Sequence, residues 1–118
     1  MISEHRVIPN EIHEFVIEGP CDVEAVIDVI STRYCSISKG VLWNLSPGTI
    51  TNLSANDMRR IAHAAKEHAI HSKTAYVGDR EVEFGMFRMY ETYAELSQVS
   101  PLMKVFKNRD EALEWLKA

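Results

Sequence analysis

Apolar residues along this chain switch between two spacings, alternate positions and every third or fourth position, and the switches mark strands and helices. Arg6-Val7-Ile8 and Ile12-His13-Glu14-Phe15-Val16-Ile17 read as two strands around the turn Pro9-Asn10-Glu11. Gly19-Pro20 ends the second strand. Val23, Val26, Ile27, Ile30 and Tyr34 then recur at helical spacing and predict a first helix from Asp22 to Tyr34. Val41-Leu42-Trp43-Asn44-Leu45 is a short, mostly apolar run, the signature of a buried strand. Ser46 to Leu53 follows as a loop. Ser54-Ala55-Asn56-Asp57 then opens a second helix, with serine at the N-cap and an acid at N3. Leu53 and Met58 flank that cap as a hydrophobic staple, and Met58, Ile61, Ala62, Ala65 and Ala69 line one face.

Lys73-Thr74-Ala75-Tyr76-Val77 predicts a fourth strand, stopped by Gly78-Asp79. Arg80 to Gln98 carries Val82, Met86, Met89, Tyr93 and Leu96 on one helical stripe. Leu102 to Phe106 alternates as a fifth strand, and Asn108-Arg109-Asp110-Glu111 caps a last helix holding Ala112, Leu113, Trp115 and Leu116. The order is β-β-α-β-α-β-α-β-α. Strands separated by helices pair in parallel, whereas the opening pair, joined by a short turn, runs antiparallel. The expected fold is therefore α/β, a mixed, mostly parallel five-stranded sheet with four helices. No linker or repeat interrupts it, so residues 1–118 form one domain.

Charge narrows the function. Thirteen Lys and Arg stand against 17 Asp and Glu, a net charge of −4, which excludes a general nucleic-acid binder. No apolar run approaches the ~20 residues needed to cross a bilayer, and the first nine residues hold no secretory h-region. The expectation is a soluble cytoplasmic protein. Cys21 and Cys35 bracket the first helix, ~21 Å apart along its axis, too far for a disulfide.

Candidate chemistry is sparse. Strand-end loops, where α/β sheets gather ligands, offer Ser46, Thr49, Asn52, Ser54 and Asp79 as a loop binding site. The same hydroxyl and amide residues are those a turn and a cap require. His63, Glu67 and His71 recur every four residues on one helix, and neighbouring members have the spacing of helical zinc ligands. The outer pair is ~12 Å apart and cannot share an ion, so a solvated helix face is expected and no metal is assigned. No cofactor motif and no catalytic signature is present, and no catalytic residue is assigned. Finally, a helix running from Arg80 sets Phe84 and Phe87 opposite its apolar stripe. Phe84, Met86, Phe87 and Tyr90 then form a patch for a partner, a second copy in a homodimer, or an apolar ligand. A helix beginning after Gly85 instead folds Phe84 onto the core.

The order of elements, with Thr74-Ala75-Tyr76-Val77-Gly78 and the closing stretch Val105 to Leu116, resembles the STAS domain (sulfate transporter and anti-sigma-factor antagonist) in its divergent SpoIIAA-like branch. The resemblance implies a regulatory module without chemistry of its own, acting through protein contacts. It also implies a phosphorylated serine at the start of the second helix. Here Asn52 stands at the family's aspartate and Leu53 at its phosphoserine, so Ser54 is the neighbouring candidate for a phospho-switch. The divergent branch is likened to lipid-exchange domains, which adds a carrier or sensor of a small apolar ligand as an alternative function. A small enzyme using the strand-end loops is the second alternative.

Overall fold

The structure is a computed structural model that describes residues 2–45, the backbone of 48 and 49, and residues 54–78, 85, 88, 92 and 102–118. Its strands are β1 (Ile2–Ile8), β2 (Ile12–Ile17), β3 (Gly19–Pro20), β4 (Gly40–Asn44), β5 (Gly48–Thr49), β6 (Lys73–Val77) and β7 (Leu102–Phe106). Three complete helices stand among the described residues: α1 (Val23–Arg33), α2 (Ala55–His68) and α3 (Arg109–Lys117). The main sheet runs β1-β2-β4-β6-β7, with β1 antiparallel to β2 and all other pairs parallel. The mixed five-stranded α/β sheet is thus as expected.

The element order differs from the expected one. β3 and β5 are additional strands that pair with each other in parallel, Gly19 with Gly48 and Pro20 with Thr49. Two residues are too few to carry a period, so both read in sequence as loop. Of the helix expected over Arg80 to Gln98, only Gly85, Arg88 and Thr92 are described, each exposed and in helical backbone. The patch residues Phe84, Met86, Phe87 and Tyr90 lie outside the described residues.

Alternation along the strands divides the core in two. Phe15, Ile17, Val41, Trp43, Leu45 and Tyr76 point to one face and meet Val26 and Ile30 of α1 and Met58, Ile61, Ala62 and Ala65 of α2. Ile12, Leu42, Ala75, Val77 and Phe106 point to the other and meet Ala112, Leu113 and Leu116 of α3. This period of two is what a sheet buried on both sides requires. α3 sits so close to β4 that a Cβ on Gly40 would stand 2.9 Å from Leu116 Cδ2, so a side chain there would have to push that methyl aside. Cationic side chains hold the last carbonyls of α3: Lys73 Nζ donates to Trp115 O at 2.9 Å and Lys39 Nζ to Lys117 O at 3.0 Å.

Each helix starts at a side-chain cap. Asp22 accepts from Glu24 N, and Asn108 accepts from both Asp110 N and Glu111 N. At α2, Ser54 Oγ accepts from Asp57 N at 3.1 Å while the Asp57 carboxylate accepts from Ser54 N at 3.0 Å, a closed capping box. The β1–β2 turn depends on Asn10, whose φ of 67° is one of the few left-handed conformations tolerated outside glycine. No helix among the described residues is long and apolar enough to cross a membrane.

Candidate functional site

α1 and α2 lie side by side on one face of the sheet, and the seam between their outer surfaces opens into a groove of about 390 Å³. That is the size of a small-ligand or anchor-residue site. Ile27 and Ser31, one turn apart on α1, form one wall. Arg59, Arg60, His63, Ala64, Glu67 and His68 of α2 form the other. Ile27 and Ala64 give the groove an apolar base, and the charged groups rim it. Arg60 Nη2 reaches across to Glu24 Oε1 at 2.6 Å and ties the two helices at one end. Glu67 stands between two imidazoles, 3.0 Å from His63 Nε2 and 3.9 Å from His68 Nε2.

The polar groups buried in the sheet have different work. Glu14, on β2, is almost fully buried, yet its carboxylate accepts from Arg109 at 2.8 and 2.9 Å and from Asn44 at 3.1 Å. Burial pushes this carboxyl up, but the guanidinium and amide hydrogen bonds outweigh it and hold Glu14 below the usual carboxylate range. A base so well satisfied is a poor proton acceptor. His13, next in the strand, points to the opposite face. Its Nε2 accepts from Asn10 N at 3.0 Å, so its Nδ1 carries the proton donated to Glu4 at 2.7 Å. Arg33 donates to the same carboxylate at 3.2 Å. Burial pushes Glu4 up as well, and the bonds from His13 and Arg33 bring it below its ordinary value.

His71 overturns an expectation. It does not continue the helix face of His63 and Glu67, because α2 ends at His68 and the chain turns inward through Ala69 and Ile70. His71 is 3 % exposed, bonds Thr74 Oγ1 through Nε2 at 2.6 Å, and meets the Tyr34 ring edge-on at 4.9 Å. Burial pushes its imidazole down to about 4. His63 and Glu67 do form a solvated pair. Among the described residues no three His, Cys, Asp or Glu side chains gather as a metal site would require. Neither cysteine forms a disulfide. Cys21 is buried, and burial, reinforced by Asp22, pushes its thiol up to about 11.

Of the loop residues chosen from sequence, Ser54 is described in full and Thr49 through its backbone. Ser46, Asn52 and Asp79 lie outside the described residues. Ser54 is exposed and spends its oxygen on the cap. Thr49 pairs with Pro20, so the loops after β2 and β4 are stitched to one another. Among the described strands the order also contains no reversal, and a reversal is what parts neighbouring loops into a ligand crevice in open α/β sheets.

No family model, curated protein or solved structure matches the chain. The groove therefore rests on its own geometry. Sequence spacing assigned Ile27 to the core stripe, and its half-exposed position at the α1–α2 seam emerges only once the helices pack. The basic pairs Arg59-Arg60 and His63-His68 on the outer face of α2 are the signal that could have found it.

Proposed function

We propose that this chain is a non-enzymatic regulatory or binding module of STAS-like type, acting through protein contacts, with the α1–α2 groove as its contact surface. The observation that carries the reading is the groove itself: an apolar base of Ile27 and Ala64 inside a rim of Arg, His and Glu. A buried apolar centre with a polar rim is how protein interfaces are built. The mixed five-stranded sheet and the serine-capped second helix are what the STAS-like reading rests on. Two cysteines outside any disulfide suit a reducing, cytoplasmic setting. Ser54 serves as a cap in this reading rather than as a switch. A phosphate on its Oγ would displace the Asp57 N–H bond and crowd the Asp57 carboxylate with like charge.

The test is site-specific photocrosslinking in the native cell, with the photoreactive residue at His63 in the groove or at Glu111 on α3. The reading expects a discrete protein adduct from His63 that Ala64→Arg abolishes and that Glu111 does not give. Equal adducts from both positions would overturn it. So would turnover in a broad substrate panel that is lost when the strand-end loops are changed, or an apolar ligand copurifying in place of a protein.

A further inference from the structure

β1 is an edge strand, with β2 on one side and no strand on the other in the described sheet. Edge strands often carry charges that discourage pairing. On β1 the charged residues are Glu4, His5 and Arg6, all exposed, and their arrangement is not uniform in sign. Glu4 and Arg6 lie on the same face, since they sit opposite Phe15 and His13 of β2, while His5 lies on the other face opposite Glu14. Glu4 accepts from His13 and Arg33, whereas the Arg6 side chain makes no hydrogen bond or ion pair with any described residue. The edge thus displays an acid and a base on either side of one residue.

We propose that the outer edge of β1 pairs antiparallel with β1 of a second copy, about a twofold axis through His5, placing each Glu4 opposite the partner subunit's Arg6. Symmetry selects this register. A twofold that joins two edges antiparallel stands normal to the sheet, so each face continues into the same face of the other copy. Residues of one face then meet only residues of that face, and the axis must pass through a residue. Centred on Glu4, the register sets two carboxylates against each other. Centred on Arg6, it sets two guanidinium groups against each other. Centred on His5, it makes two reciprocal Glu–Arg pairs. Parallel pairing in register would set like against like at both positions. Of the registers centred on a β1 residue, only the one through His5 sets opposite charges against each other, two Glu–Arg pairs flanking the two imidazoles, whereas those through Ser3 and Val7 pair no charges. Glu4 has the capacity: its Oε1 meets only Arg33, at 3.1 Å, and its side chain keeps 24 % of its exposure. The result is a ten-stranded sheet, continuous across the axis, with the α1–α2 layers of both copies on one side.

Sedimentation velocity across a concentration series tests this, combined with deuterium exchange at the backbone amides of Ser3 to Val7. The wild type should dimerise, and those amides should exchange more slowly as concentration rises. Arg6→Glu turns both pairs from attraction to repulsion and should weaken the dimer at least about tenfold, with its thermal melt retained because Arg6 is exposed. Arg6→Lys keeps the charge and should stay within about threefold of wild type. A monomer at high concentration would overturn the proposal. A dimer that Arg6→Glu leaves intact, or one that forms without protecting β1, would do the same.

Discussion

The Glu14 carboxylate and the Arg109 guanidinium, 95 positions apart in sequence, meet through two hydrogen bonds of 2.8 and 2.9 Å. Glu14 belongs to the middle of β2 and Arg109 to the first turn of α3, so this pair and Asn44 of β4 orient α3 across the sheet. Removing one partner of a buried pair leaves the other charge without its solvent and without its mate. Arg109→Met should destabilise the fold by about 2–3 kcal/mol, the lower end for such pairs because the guanidinium is partly in water. Adding Glu14→Leu to it should recover part of that loss, since the orphaned charge is gone. Urea unfolding of the two single variants and the double variant measures the coupling.

Acid should unfold this protein from an unusually high pH. In the folded chain the His71 imidazole stays neutral down to about pH 4, while in the unfolded chain it takes up its proton below its ordinary value of 6.5. The unfolded state binds more protons across that window. Stability is therefore fully present above pH 6.5 and is lost as pH falls toward 4, by about 3 kcal/mol in all. Glu14 and Glu4, both held below their ordinary values, extend the loss below pH 4.5 in the same direction. Urea midpoints from pH 7 to pH 4 should fall steadily, and His71→Leu should flatten the upper part of that slope.

The α2 cap gives a graded pair of outcomes. Ser54→Ala removes the acceptor for Asp57 N and should cost about 1 kcal/mol, whereas Ser54→Gly should cost only a few tenths. Thermal melts of the two variants, read side by side, check the order. Equal melts for wild type and Ser54→Ala would contradict the capping role.

The two thiols should differ sharply toward a thiol reagent. Cys35 is exposed, whereas Cys21 is buried with its thiol pushed up to about 11, so little thiolate forms there at neutral pH. Ellman's reagent should modify one cysteine per chain in the folded protein and both in denaturant. Cys35→Ser should abolish the native-state reaction.

The parts of the fold that were legible in sequence are those whose cause is local. The caps at Ser54 and Asn108 are set within three residues, and β2, β6 and β7 lie where alternation and apolar runs place them. β1 begins earlier than its sequence signal, at Ile2 rather than Arg6, because its backbone pairs with β2 as far as Ile17, a partner that spacing within β1 does not encode. His71 misled for the opposite reason: a spacing of four continues on paper after the helix has stopped. The Glu14–Arg109 pair leaves only a faint trace, an acid inside an otherwise apolar strand. The groove leaves less, since it belongs to neither α1 nor α2 but to their packing.

The order β1-β2-β4-β6-β7 follows the order of synthesis without exception. A sheet in which a late strand lies between two early ones must wait for that strand before its neighbours are joined. In the main sheet each strand docks on the member of that sheet made just before it, and none is threaded between two already paired. The sheet can therefore be laid down from its first hairpin outward as the chain leaves the ribosome, one row at a time. Its growing edge is always the newest strand.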